Sequence, residues 1–184
     1  MTGPLVLTLG ELEPTIAADV YLAPNAVVVG DVTIGAGSSV WFNATIRGDV
    51  APIRIGERTS IQDGAVLHLD EGTPCVVGNN VTIGHNAIVH GATIEDGVTI
   101  GMGAVVLSRS RIGAGAIVAA GAVVLEDTIV PPGMLVAGVP AREKRPLSAQ
   151  QRAASMDNAA RYVRYGARYR QACRPVRSDP AGEE

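Results

Sequence analysis

Large rings are scarce in this chain: one Trp, one Phe and four Tyr among 184 residues, or 3%. That excludes a core wedged together from aromatic side chains. Cysteine is scarcer still, and Cys75 and Cys173 are too few for a disulfide framework. Neither sign of charge dominates. A net charge of −3 gives no reason to expect nucleic acid or an anionic membrane as partner. No apolar run reaches transmembrane length, and the opening stretch MTGPLVLTLGELEP lacks the basic region of a signal peptide. These absences predict a cytoplasmic protein of one domain with an appendage. What the chain does hold is 22 Gly and a 47% hydrophobic share made mostly of Val, Ile and Ala. Such a core must be regular and finely stacked.

The regularity is visible. From residue 16 an aliphatic side chain returns at every sixth place, through Ile16, Leu22, Val28, Ile34, Val40 and Ile46. It resumes as Ile55, Ile61 and Leu67, then Val77, Ile83 and Val89, and finally Ile94, Ile100, Val106, Ile112, Val118, Val124, Val130 and Val136. Gly often follows, as in the IG pairs at 34–35, 55–56, 83–84, 100–101 and 112–113. Neither the helical period of 3.6 nor the strand period of 2 produces a repeat of six. A hexapeptide repeat does, each unit being a short strand and a corner, and three units closing one triangular coil. The reading is an all-β solenoid, a left-handed parallel β-helix over residues 1–146. Its repeated aliphatic residues point inward.

Three interruptions break the count. The step from Ile46 to Ile55 is nine, that from Leu67 to Val77 is ten, and that from Val89 to Ile94 is five. The ten-residue step predicts a loop at LDEGTPC. From Leu147 the pattern becomes helical. Ser148 is a suitable N-cap, and Ala149, Ala153, Met156, Ala160, Val163 and Ala167 form a stripe beside Tyr162, Tyr165 and Tyr169. A C-terminal α-helix over 147–172, packed on the β-helix, is expected. The tail 173–184 reads as disordered.

The stretch GHNAIVHG, Gly84 to Gly91, carries two of the chain's three histidines, His85 and His90. Repeat counting puts Ile46, Leu67 and Val89 on one side of the prism, side A, in successive coils. The residues that follow are Arg47, His68 and His90. His68 and His90 are 22 apart, one coil of eighteen plus four loop residues. They are expected as outward-facing neighbours about 5 Å apart at the backbone, the spacing of adjacent strands. His85 falls on the preceding side C, with Asp63 beneath it and Gln62 alongside. A three-sided prism packs naturally as a cyclic trimer in which side A of one copy meets side C of the next. His68 and His90 of one chain then meet His85 of its neighbour. Three imidazoles with an open fourth position describe a catalytic zinc-type site.

At these residues the chain resembles the γ-class carbonic anhydrases. The motifs are IRGD (Ile46 to Asp49), IQDG (Ile61 to Gly64), VLH ending at His68, GHNAIVHG, and GVPA (Gly138 to Ala141), and the resemblance spans residues 10 to 170. It implies a homotrimer in which His68, His85 and His90 bind Zn2+, Fe2+ or Co2+, one ion per chain, shared between adjacent subunits. It implies reversible hydration of CO2 to bicarbonate by a metal-bound hydroxide. Gln62 would hydrogen-bond the hydroxide or bicarbonate. Arg47 and Asp49 would form an ion pair that holds the subunit interface, with Asp63 supporting Arg47 or the histidines, and Tyr162 would lie near the site. The acidic loop after His68 is short here; Glu71 stands where the resemblance places a proton-shuttling glutamate. Two other readings remain beside this one: a hexapeptide acyltransferase or acyl-CoA thioesterase, and a metal-stabilised assembly subunit without turnover.

Overall fold

A computed structural model describes residues 3–174 of the chain. The backbone climbs through about seven turns of a left-handed parallel β-helix. Most strands are two or three residues long, and each pairs in parallel with its equivalents in the coils before and after. Arg142–Pro146 pairs antiparallel instead, folding back on Met134–Ala137.

The inward columns follow the sixfold repeat. On side A, Val28, Ile46, Leu67, Val89, Val106 and Val124 are stacked in register, all fully buried. On side C the column runs Leu22, Val40, Ile61, Ile83, Ile100, Val118 and Val136. Burying each such side chain is worth about 1.5–3 kcal/mol relative to leaving it in water. A further column, Ala26, Ala44, Ala65, Ala87, Ala104 and Ala122, is buried two residues ahead of the side A column. Only a methyl group is present there, where the prism narrows into its corner.

The IG pairs have a steric origin. A Cβ on Gly101 would lie 2.4 Å from the Ala120 backbone nitrogen, and one on Gly84 2.7 Å from that of Met102. Gly35, Gly56 and Gly113 meet the next coil's backbone at 2.5–2.7 Å in the same way. These glycines are fixed by close approach of successive coils. Gly103 differs: its φ is +66° and its missing Cβ faces open space.

The interruptions become functional geometry. The two strands that break the pattern, Val27–Ile34 and Thr45–Ile55, run continuously around a corner and join two prism sides into one sheet. Gly30 pairs with Gly48 but Val32 pairs with Ile53, so the extra residues of the nine-residue step form a bulge at 49–52. The loop expected at LDEGTPC is present, with a turn closed by the Thr73 amide on the Asp70 carbonyl at 3.0 Å.

The helix spans Ala149–Ala172, with Ser148 as N-cap in a capping box with Gln151. It lies across side C. The face it turns inward is not the expected alanine stripe: Ala149, Ala153, Met156, Ala160 and Ala167 are exposed, and the buried residues are Ala159 and Gly166. The reason is the aromatic layer outside the prism. Trp41 packs edge-on against Tyr162 and Tyr169 (5.5 and 5.0 Å between centroids), and Tyr21 packs on Trp41 at 5.2 Å. These rings turn the helix so that Gly166 rests against Tyr21 and Ser39. The expected tail lies, from residue 175 onward, outside the described residues.

Two glycine substitutions check the close-approach account by thermal or urea denaturation. Gly101→Ala is expected to destabilise by about 1–3 kcal/mol through forced backbone displacement. Gly103→Asn is expected to change stability by less than about 0.5 kcal/mol, because Asn86, stacked directly before it, already holds φ +56°. Equal losses would show that coil spacing is not what these glycines serve.

Candidate metal centre

His68 and His90 end the side A strands Val66–His68 and Ile88–His90 and pair in register across adjacent coils. Their rings tilt at 60°, with His68 Nδ1 and His90 Nε2 3.2 Å apart. The bulge at 49–52 carries Asp49 over His68, whose Nε2 stands 3.0 Å from Asp49 Oδ1. The other Asp49 oxygen takes the Arg47 guanidinium. Burial works against the Asp49 charge, but hydrogen bonds from His68, from its own backbone amide and from Arg47 hold its carboxyl below the usual carboxylate range.

His90 Nδ1 lies 2.9 Å from the Ser108 hydroxyl, which donates to Asp70 Oδ2 at 2.6 Å. That hydroxyl, against partial burial, keeps the Asp70 carboxyl below its usual range. Neither Ser108 nor this role for Asp70 emerged from the sequence reading. A signal was present: counting one coil of eighteen on from His90 lands on Ser108. His85 stands apart on its own corner, with Nδ1 2.8 Å from Asp63 Oδ2. Within the protomer Asp63 thus pairs with a histidine. The exposed Glu71 makes no hydrogen bond among the described residues.

The tautomers follow from the available partners. A carboxylate only accepts, so His68 carries its proton on Nε2 toward Asp49. Ser108 gives its single hydrogen to Asp70 and must accept from His90, which carries its proton on Nδ1. The remaining lone pairs, on His68 Nδ1 and His90 Nε2, point at one another at 3.2 Å. Nitrogens so placed are both open to one shared cation. Two nitrogens each about 2.1 Å from a tetrahedral zinc stand roughly 3.3 Å apart. His85, with Nδ1 turned to Asp63, keeps Nε2 for a ligand. All three rings thus have one nitrogen engaged by a carboxylate or hydroxyl and one free, the arrangement of metal-ligating histidines. This donor set fits a divalent metal. Among the described residues, no three His, Cys, Asp or Glu side chains of a single protomer form a metal-binding group.

Asp63 also lines a cleft of about 370 Å³ with Trp41, Phe42, Tyr162, Tyr165, Arg168 and Tyr169. Burial, and then the charge of Asp63, push the Tyr162 phenol up, so it stays neutral at physiological pH. Gln62 is almost fully buried at the preceding position. The structure thus brings His85, Asp63 and Tyr162 to one corner, and Arg47, Asp49, His68 and His90 to side A. Among the described residues no helix is long and apolar enough to cross a membrane.

The coils and their ladder define a hexapeptide-repeat protein, and the profile of that family, bacterial transferase hexapeptide (six repeats), matches residues 13–48 and 91–126. A Methanocaldococcus jannaschii protein named "Probable carbonic anhydrase" is 50% identical over 149 residues, covering 81% of this chain and 94% of that one. Arabidopsis thaliana "Gamma carbonic anhydrase 2, mitochondrial" is 37% identical over 164 residues, 86% of this chain and 59% of that one. A crystal structure of a hexapeptide transferase family protein from Anaplasma phagocytophilum superposes with a TM-score of 0.87 at 33% identity, covering 90% of this chain and 98% of that one. The chain belongs to the carbonic anhydrase family of hexapeptide-repeat proteins, whose plant members bear the γ-class name.

Cys75, close after the loop, is fully buried, and burial pushes its thiol up to about 12; Cys173 is exposed. A thiol reagent at mildly alkaline pH should therefore modify one cysteine in the native protein and two after denaturation. Rapid native modification of Cys75 would contradict its sealed position.

Proposed function

We propose that the protein is a metal-dependent carbonic anhydrase, hydrating CO2 reversibly to bicarbonate at sites shared between subunits of a homotrimer. The observation that carries this reading is the close approach of His68 Nδ1 and His90 Nε2 at 3.2 Å, each ring held on its other nitrogen, in a chain whose relatives bear the carbonic anhydrase name. His68 and His90 of one protomer and His85 of the next would hold the ion. Three neutral imidazoles accept Zn2+, Fe2+ or Co2+. When bound, such an ion makes a coordinated water acidic enough to serve as nucleophile near neutral pH.

The remaining work belongs to the chain. Asp49 holds the His68 ring and takes Arg47, whose half-exposed guanidinium is free to reach the adjoining subunit. Asp63 holds His85 from beneath. Gln62, buried at the foot of the same corner, offers an amide that can both donate and accept, suited to orienting bicarbonate. Tyr162, kept neutral, can donate one hydrogen bond into the cleft beside Asp63. Proton release to buffer falls to the short acidic loop, where Asp70 is tied to Ser108 and Glu71 is free in solvent.

Metal content and mixing of variants test the sharing. His68→Ala and His85→Ala should each fall from about one ion per chain to less than a tenth, while gel filtration still shows a trimer. Reassembling the two variants together should restore one binding site in each mixed trimer, because one interface then has intact His68, His90 and His85. No recovery would sink the shared site. Stopped-flow CO2 hydration on the metal-loaded protein then decides between an enzyme and a metal-stabilised assembly subunit. The likeness to a solved transferase family protein at 33% identity supports a second reading, acyl transfer. A thermal shift with coenzyme A but none with metal would favour it.

A further inference from the structure

Beyond the three histidines, one arrangement in the molecule has its direction dictated by donor counting. Ser108 is buried. Its hydroxyl stands between His90 Nδ1 at 2.9 Å and Asp70 Oδ2 at 2.6 Å. Asp70 sits directly opposite His90 but 3.7 Å from its Nδ1, outside direct hydrogen-bond reach. The hydroxyl spans that gap. The space it needs is kept clear by Gly91, where a Cβ would come within 3.2 Å of the Ser108 oxygen and 3.0 Å of Thr73. Gly91 also closes the turn, its amide donating to the His68 carbonyl at 2.9 Å.

We infer that Ser108, oriented by Asp70, is a positioning residue that locks His90 as its Nδ1–H tautomer and presents the Nε2 lone pair toward His68. A hydroxyl has one hydrogen. With that hydrogen committed to the carboxylate, its lone pairs alone face the imidazole, and His90 can only donate to it. A neutral histidine side chain in water favours its Nε2–H form, so the relay holds His90 against the tautomer that would leave a hydrogen facing His68. The loop that carries Asp70 thus does its work by steering a histidine, through a residue one coil further on.

This inference rests on the metal reading only for what the exposed Nε2 is used for, and its test separates the two. Long-range 1H–15N NMR on the metal-free trimer reads the His90 tautomer, and Co2+ titration against a competing chelator reads affinity by visible absorption. Wild type is expected to show Nδ1–H at His90. The double variant Ser108→Ala with Asp70→Ala removes both acceptors, and should show mixed tautomers and a Co2+ affinity lower by roughly 10–100-fold, the usual loss when the group behind a ligating histidine is removed. Ser108→Thr keeps a hydroxyl at the same place and should restore both readings, which a purely packing role for Ser108 would not predict. Retention of the Nδ1–H form with affinity within twofold in the double variant would overturn the lock, as would loss of that form in Ser108→Thr. A wild-type protein with fixed Nδ1–H at His90 that takes up neither Co2+ nor Zn2+ would sink the metal reading and leave the lock standing.

Discussion

Everything in this molecule depends on the vertical spacing of its coils. Parallel strands stack at about 4.8 Å because backbone amides and carbonyls must find one another, and here each coil finds its partners almost entirely in the coil above and below. That ladder dictates the rest. It demands an inward branched aliphatic residue at the same place in every coil. It squeezes corner after corner until only Gly fits beneath the next coil's backbone, as at Gly84 and Gly101. It also puts His68 above Arg47's coil and beneath His90, so that side-chain chemistry can be built by stacking as well as by folding.

The chain then departs from its own regularity in a few places, and the candidate centre is found at them. The bulge after Gly48 pushes Asp49 out over His68. The loop after His68 brings Asp70 to Ser108. Without the first, the His68 ring lacks the carboxylate behind it; without the second, the Ser108 hydrogen has nowhere fixed to go. The regular part of the repeat supplies stiffness, and the irregular parts supply orientation.

Most of the architecture was legible because a period of six admits one solution. The stacking of His68 on His90, and the separation of His85 with Asp63, came from the same counting. What counting could not reach were contacts made by side chains leaving the ladder. Asp63 turning its carboxylate to His85 depends on which way a side chain leans at a corner. The inward face of the helix was set by Trp41 and Tyr21, two rings on the outside of the prism, and the apolar pattern within the helix sequence carries no trace of them. Ser108 lay one coil beyond His90 in plain arithmetic, but a serine carries no metal signal by itself. Its meaning appears only once Asp70 is seen to claim its hydrogen.

The acidic loop leaves side A after His68 and returns at Cys75, which is already locked beside Ile53 on the next side of the prism. Both anchors belong to the ladder, and none of the ladder passes through Asp70, Glu71 or Gly72. The length of that excursion is therefore decoupled from the register of the solenoid. Residues can be spliced in or removed there during descent without shifting a single core contact. The fold behaves as a socket that can accept a loop of different reach beside an unchanged pair of stacked histidines.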